Sequence, residues 1–218
     1  MLKHHAPSSS LSFGVGRPLE PESLLVSTDC PAGLPCNSLS TITSITATTL
    51  ESKADLLAKY SGAVETLWEL TSLRNVRVLH EVDAHNLAEL HSRLAAGGRW
   101  DTIIWNFPYP IAIDCYGNPC GRFGASQGSA LMRGFFASLH SQAAFVSPRV
   151  ELHLTLSKSH IAGWGVDKLA DEFGFDLIQQ VPFSVLARAY PEYSPRREHE
   201  DGSFPLKGAQ MLIFRCRW

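Results

Sequence analysis

Three polar residues each come directly after a short apolar or β-branched stretch that predicts a β-strand. They are Glu51, Asp83 and Asn106. A carboxylate accepts hydrogen bonds from hydroxyl or amino groups, and an amide both donates and accepts them. Helix capping competes with ligand binding here, because the helix dipole favours Glu51 at a helix start and Asp is a frequent N-cap. Residue type and position leave both uses open.

Aromatic and basic residues meet in the polar segment before the last predicted strand. They are Tyr190, Tyr193, Arg196 and Arg197. Aromatic rings beside guanidinium groups are suited to stacking on bases and contacting phosphates of single-stranded or looped RNA. Three glutamates in the same segment dilute the charge, so a packed surface loop is the other interpretation.

Composition limits the classes of protein to which the chain can belong. The 218 residues are 44% hydrophobic, which excludes a mainly disordered chain and suits a single domain. We expect one domain over residues 1–218, with an irregular part at 1–43 and a core at 44–218. No apolar run is long enough to cross a membrane. The net charge of -2 means that RNA contact would need a local basic patch.

The cysteines predict a reducing, intracellular location. Five cysteines are an odd number, and no C-x-x-C pair occurs among them. Cys30, Cys36, Cys115 and Cys120 are spaced more widely than usual zinc ligands, so we expect no metal site. The residues after Met1 also lack the apolar stretch of a secretory signal, although the segment does not exclude organelle targeting.

The elements that would position these residues alternate between strands and helices, which predicts an α/β fold. Because no helix is predicted between the final two strands, we expect a mainly parallel sheet with an antiparallel last strand. Other doubly wound folds remain open on pattern alone. The predicted strands are 45–50, 76–82, 101–105, 150–156, 176–183 and 210–217, and the predicted helices are 51–68, 86–94, 131–139 and 166–173. The apolar run 101–105 suits a fully buried parallel strand. One face of helix 51–68 is predicted from residues at three-to-four spacing, namely Leu56, Tyr60, Val64, Leu67 and Trp68.

Several separated segments occur in an order that resembles one family. The chain from residue 44 to 217 is similar to the ribosomal RNA (uridine-N3) methyltransferases typified by the yeast large-subunit enzyme. The resemblance implies a Rossmann-like class I methyltransferase sheet, S-adenosylmethionine as cofactor, and ribosomal RNA or a pre-ribosomal particle as partner, with assembly-factor proteins as further partners and no membrane. The segments are Ile45–Tyr60, Val78–Ala84, Trp100–Tyr109, Leu131–Phe136, Glu151–Leu156, Trp164 and Tyr190–Arg197.

The resemblance also implies roles for residues at the strand ends. Glu51 would accept hydrogen bonds from the ribose hydroxyls of the cofactor. Asp83 would accept one from the adenine amino group, with Ala84 close to the ring. In a Rossmann-like sheet these positions lie at the carboxyl ends of the strands.

The amino-terminal part departs from the family. The family's first strand ends in a loop of the form Gly-Glu-Gly-Asp-Phe-Ser-Phe, whose glycines let the backbone approach the cofactor. The nearest stretch here is Pro7–Phe13, which keeps Ser12 and Phe13 but has Ser10 and no glycine before them. Ser10, Ser12 and Phe13 are the candidate remnants of this cofactor loop.

Residues Asn106-Phe-Pro-Tyr109 are similar to the Asn-Pro-Pro-Tyr tetrapeptide of amino-group methyltransferases. By that resemblance Asn106, Pro108 and Tyr109 form the catalytic site: the amide and nearby carbonyls hold the target base, and Tyr109 stacks on it. The family usually has His in place of Tyr109, and Tyr is a poor base near pH 7. The expected activity is methylation of uridine N3. The alternative is a catalytically inactive relative that binds ribosomal RNA or serves ribosome assembly.

Overall fold

A computed structural model describes residues 44–93, 99–109, 124–189, 196–197, 200–203 and 207–218. A 3-10 turn at Ala143–Phe145 precedes the longest strand. The helices are α1 (Lys53–Lys59), α2 (Ala63–Ser72), α3 (Leu87–Arg93), α4 (Ala125–Ser141), α5 (Lys158–Trp164), α6 (Val166–Glu172) and α7 (Phe183–Ala189). The strands are β1 (Ile45–Thr48), β2 (Val76–Leu79), β3 (Trp100–Asn106), β4 (Val146–Ser157), β5 (Phe175–Pro182), β6 (Arg196–Arg197), β7 (Glu200–Ser203) and β8 (Ala209–Cys216).

The larger sheet has the strand order β3-β4-β8-β5. β3 and β4 pair in parallel, whereas β8 is antiparallel to both β4 and β5. Strands β3, β4 and β5 therefore run in one direction and β8 in the other. A separate parallel pair is formed by β1 and β2. The predicted α/β fold, mainly parallel with an antiparallel last strand, is confirmed.

The core lies between α4 and the larger sheet. The large apolar side chains within the predicted helix 131–139 are fully buried in α4, and so are the alternate leucines of β4 in the same cluster. Burial of each such side chain contributes about 1.5–3 kcal/mol relative to its exposure. These residues are Leu131, Phe135, Phe136 and Leu139 on α4, and Leu152, Leu154 and Leu156 on β4.

The parallel pair β1–β2 is joined to this core through α3 and the segment before it. Leu87 and Leu90 of α3 are buried in the same hydrophobic cluster as Trp105 of β3. The backbone N–H of Leu87 donates to Ser138 Oγ of α4 at 2.9 Å. The ends of both sheets are therefore held by one packed layer.

The helix predicted from Glu51 to Trp68 is wrong in its continuity and in its buried face. The structure has two helices, because the backbone at Tyr60 is extended and ends α1. Val64 and Trp68 are 60% and 72% exposed, and Ala63 and Leu67 face inward instead. Because the chain breaks at Tyr60, the two helices do not form one continuous apolar stripe.

Two further differences concern elements that the pattern does not predict. Helix α5 follows β4 directly, and it begins at Ser157, whose Oγ accepts from the backbone N–H of His160. Between β5 and β8 the chain forms α7 and the hairpin β6–β7, where no helix is predicted. The antiparallel last strand is predicted correctly, but the reason given for it, the absence of a helix between the final two strands, is wrong because α7 lies there.

Strand β3 also differs from the fully buried strand that its sequence predicts. Trp105 is fully buried, but Ile104 is 37% exposed and Thr102 faces solvent. Within the described residues, β3 pairs only with β4 and forms one edge of the larger sheet. An edge strand keeps one side of its backbone and part of its faces open to water.

Gly128 of α4 has no room for a side chain. A Cβ at this position would overlap the indole ring of Trp164, whereas a Cβ at Gly163 of α5 would meet nothing within 4 Å. We expect Gly128→Ala to destabilise the fold by about 1–3 kcal/mol, since overpacking forces buried groups apart. Gly163→Ala is the matched control and should stabilise α5 by roughly 0.5–1 kcal/mol. Urea unfolding of both variants measures this, and equal stabilities would contradict the packing described.

Candidate functional site

Glu51 and Asp83 lie at the carboxyl ends of two paired strands. β1 and β2 are parallel with Thr48 opposite Leu79, so the chain leaves both strands at the same edge. Beyond the strands, the N–H of Glu81 donates to the carbonyl of Glu51 at 3.3 Å. The structure therefore brings the two segments together.

The Glu51 carboxylate is partly buried and already has a cationic partner. Its Oε1 accepts from Lys59 Nζ of α1 at 2.8 Å, and its side chain is 17% exposed. Lys59 lies in the last turn of α1, where a cation is favoured by the helix dipole. The second carboxylate oxygen, Oε2, accepts no hydrogen bond from the described residues. Glu51 is thus held in place with one acceptor oxygen left.

Asp83 accepts a hydrogen bond from the chain just after it. Its Oδ1 lies 2.8 Å from the backbone N–H of His85, which is the local capping contact that competes with ligand binding at this position. The neighbouring Ala84 is fully buried in the core. Contact between Ala84 and an adenine ring would require neighbouring groups to move.

Asn106 is fixed by its pairing with β4. It lies opposite Thr155, and Thr155 Oγ1 donates to Asn106 Oδ1 at 2.7 Å. With its amide oxygen on Thr155, the NH2 group of Asn106 is the part directed to other contacts. Thr155 is fully buried, so this contact is shielded from water.

The residue after Asn106 has a strained backbone. Phe107 has φ +52°, in the left-handed region, where a bulky side chain costs on the order of 1–2 kcal/mol. Its N–H donates to the Thr155 carbonyl at 2.8 Å, and its ring packs edge-on against Phe183 at 5.2 Å. These contacts hold the turn that carries Pro108 and Tyr109.

Tyr109 packs against residues of α5. Its ring centroid lies 5.1 Å from that of His160 and 6.0 Å from that of Trp164, both edge-on. The Tyr109 hydroxyl is hydrogen-bonded to both the side chain and the backbone of Ser157. Burial nevertheless dominates and raises the pKa of Tyr109 to about 12. Tyr109 is therefore an even poorer base than a free phenol.

Sequence reasoning missed the residues that β4 and α5 bring to this site. Ser157 Oγ lies 2.7 Å from His160 Nδ1, and the His160 imidazole stacks on Trp164 with centroids 4.7 Å apart. Burial lowers the pKa of His160 below its usual value of 6.5. The available signal was the parallel pairing of two consecutive strands, which places Ser157 beside the chain that follows Asn106.

The remaining candidates are placed less completely. Arg196 and Arg197 form β6, where they pair with Ser203 and Glu200 of β7. Ser10, Ser12, Phe13, Tyr190 and Tyr193 lie outside the described residues, as do Cys30, Cys36, Cys115 and Cys120. Within the described part of the chain, no three His, Cys, Asp or Glu residues form a metal-binding group, and no helix is long and apolar enough to span a membrane.

The described contacts of the candidate residues form two clusters. Glu51, Asp83 and their neighbours occupy the ends of β1 and β2, while Asn106, Tyr109 and His160 occupy the ends of β3 and β4.

Sequence comparison identifies the family. Residues 34–197 match the family described as BMT5-like, rRNA (uridine-N3-)-methyltransferase BTM5-like. The chain belongs to this family. The match covers more than half of the chain and includes both clusters. The family resemblance seen in the sequence motifs is confirmed.

Other similarities are more distant. An uncharacterized protein of Arabidopsis thaliana, At4g26485, is 27% identical over 175 residues, which are 78% of this chain and 79% of that protein. The N-methyltransferase NodS of Bradyrhizobium japonicum WM9 is 10% identical, with a TM-score of 0.37 over 79% of this chain and 73% of NodS. A putative rRNA-methylase of Clostridium thermocellum is 8% identical, with a TM-score of 0.40 over 79% of this chain and 75% of its own.

The raised pKa of Tyr109 is directly measurable. We expect its phenol to stay protonated through pH 10 and to ionise only near pH 12, because burial disfavours the phenolate. Carbon-13 NMR of tyrosine-labelled protein follows the ring carbon that bears the hydroxyl, and Tyr109→Phe assigns the signal. Ionisation near the ordinary value of about 10 would show that Tyr109 is solvated rather than packed against α5.

Proposed function

We propose that this protein methylates N3 of uridine in ribosomal RNA with S-adenosylmethionine as methyl donor. Membership of the family supports the class of reaction and the class of substrate. The observation that carries the proposal is the fixed Asn106 amide at the end of β3, beside an aromatic wall formed by Tyr109.

The Asn106 amide is complementary to a uracil edge. Uracil presents one N–H donor with a carbonyl acceptor on each side of it. Because Asn106 Oδ1 accepts from Thr155, its NH2 group is the donor for a uracil oxygen. Such a hydrogen bond would strengthen as negative charge develops on the imide, which is the contact that lowers a reaction barrier. Tyr109 would lie beside the uracil once the base has left the stacked bases of the RNA.

The residues at the ends of β1 and β2 fit the adenosine part of the cofactor. Glu51 and Asp83 each keep one carboxylate oxygen that accepts nothing from the described residues. Thr48 Oγ1, at the end of β1, is buried and also has no partner among them. An unmet buried hydroxyl costs about 1–3 kcal/mol, and a polar ligand atom would satisfy it. The cofactor would supply an electrophilic methyl group.

A catalytically inactive rRNA-binding or ribosome-assembly protein is the second candidate. It is favoured by Tyr109, whose pKa of about 12 makes it unfit as a base, and by Ala84, which has no exposed surface. The two candidates differ in cofactor binding and in methyl transfer, while both bind RNA.

Asp83→Asn tests the cofactor site. Asparagine keeps an oxygen for the His85 N–H, so the local turn survives, but it loses the charge that holds an amino group. We expect the affinity for S-adenosylhomocysteine to fall by about tenfold or more, as measured by titration calorimetry. Asp167→Asn in the first turn of α6 is the control and should leave affinity unchanged. Absence of binding by the wild-type chain favours the inactive candidate; equal affinity of Asp83→Asn removes Asp83 from the site.

Arg196 and Arg197 test the RNA surface. The double variant Arg196→Ala/Arg197→Ala should weaken rRNA binding. It should also make the slope of log affinity against log salt shallower by about 1–2 units, because fewer phosphate contacts release fewer counterions on binding. Arg74→Ala/Arg149→Ala removes the same charge from exposed positions on the other elements. Filter binding between low and moderate salt measures the slopes. Equal slopes for the two double variants would exclude β6 as a phosphate-binding element.

A further inference from the structure

Methylation of uridine N3 requires a proton acceptor, and this inference rests on the proposed function. The imide N–H ionises well above neutral pH, so its proton must leave as the new N–C bond forms. Asn106 is an amide and is not basic. Tyr109 is excluded by its pKa of about 12. Among the described residues that contact Tyr109, the side chain that titrates near neutral pH is His160.

His160 is linked to Tyr109 through one hydroxyl group. Ser157 ends β4, caps α5, and lies within hydrogen-bonding distance of both side chains. The Tyr109 and His160 rings also touch directly, with centroids 5.1 Å apart at 72°. A base bound against Tyr109 would therefore lie close to the imidazole.

The Ser157 hydroxyl is the hydrogen-bond partner of the His160 Nδ1 atom and so influences which imidazole nitrogen carries the proton. A serine hydroxyl has one proton and two lone pairs. The other partners of Ser157 Oγ are the Tyr109 hydroxyl, the backbone N–H of His160 at 3.3 Å, and Ser159 Oγ at 3.1 Å. The arrangement that suits a base at Nε2 has the Ser157 proton on the Tyr109 oxygen and one lone pair on the His160 N–H. In that arrangement His160 Nδ1–H donates to the remaining lone pair across the 2.7 Å contact. In this tautomer the basic lone pair is on Nε2.

The imidazole is held in a defined orientation and in its neutral form. It stacks on Trp164, which is buried and fits against Gly128. Burial lowers the pKa of His160, and the charged groups nearest along the chain are Lys158, Asp167 and Lys168. The titratable group that faces it is Tyr109. A neutral imidazole at pH 7 is ready to accept a proton.

We propose that His160 Nε2 accepts the imide proton of the target uridine, with Ser157 fixing the tautomer and Tyr109 bordering the base. The N3–H bond breaks and its proton moves to Nε2, while its electron pair stays on the uracil. That pair forms the N3–CH3 bond as the methyl leaves the sulfonium donor, whose sulfur keeps the electrons of the broken bond as a thioether. The positive charge passes from sulfonium to imidazolium, which then releases the proton to water.

The first test uses the free protein and requires no activity. Long-range proton–nitrogen NMR of histidine-labelled chain distinguishes the two tautomers, and the His160 signals are assigned by their absence in His160→Asn. We expect the Nδ1–H tautomer, titrating below pH 6.5, and a mixture of tautomers in Ser157→Ala. A predominant Nε2–H tautomer in the wild-type chain would overturn the proposal whether or not the protein is a methyltransferase.

The second test measures single-turnover methyl transfer to rRNA transcribed in vitro. His160→Asn keeps a donor for Ser157 at the position of Nδ1–H but has no basic nitrogen. We expect its rate at pH 7 to fall by about 10²- to 10⁴-fold, while its affinities for S-adenosylhomocysteine and RNA stay within about twofold. The control His140→Asn, on the exposed end of α4, should leave the rate unchanged.

The pH profile separates proton transfer from a structural role. The wild-type rate should rise with pH up to the pKa of His160 and then level, because only the neutral imidazole accepts a proton. The His160→Asn rate should keep rising with hydroxide, and rRNA made with 5-fluorouridine, whose imide is more acidic, should restore part of it. If the His160→Asn rate falls below the wild-type rate by the same factor at every pH and on both RNAs, the proposal is overturned. A wild-type chain that neither binds cofactor nor methylates would instead refute the proposed function, and the base assignment with it.

Discussion

The pairing of Asn106 with Thr155 is the contact on which the candidate site depends. Thr155 holds both the side chain of Asn106 and, through its carbonyl, the backbone of Phe107. The left-handed conformation of Phe107 then directs the chain toward α5 instead of extending β3. A buried hydroxyl that donates to an amide leaves little orientational freedom, because an unmet polar group in the core is costly. The aromatic cluster around Tyr109 follows from this turn.

The second constraint is the packed layer that joins the two sheets. Ser138 of α4 accepts the Leu87 N–H, and His85 Nε2 lies 3.0 Å from the Leu131 carbonyl of the same helix. The carboxylate cluster at Glu51 and Asp83 therefore rests on α4, the helix whose Gly128 accommodates Trp164. One helix supports both clusters. A change in its position would move the proposed cofactor contacts and the proposed base pocket together.

The sequence predicted most of the fold and about half of the candidate site. Helix α4 and strand β4 were predictable because their apolar residues recur at regular spacing and are buried. Helix α5 was not, because it is seven residues long and buries only Ile161 and Trp164. His160 was also missed, because its position beside Tyr109 comes from the contact between the ends of β3 and β4 and not from a local sequence pattern. The exposed Trp68 shows that helical spacing alone does not prove burial.

If both clusters serve one methyl-transfer reaction, a crystal structure of the chain with S-adenosylhomocysteine and uridine should show both ligands bound between them. We expect the ribose hydroxyls on Glu51, the adenine amino group on Asp83, and the uracil between Asn106 and Tyr109 with N3 within hydrogen-bonding distance of His160 Nε2. Ligand bound away from these residues, or a uracil whose N3 faces away from His160, would show that the clusters do not act together.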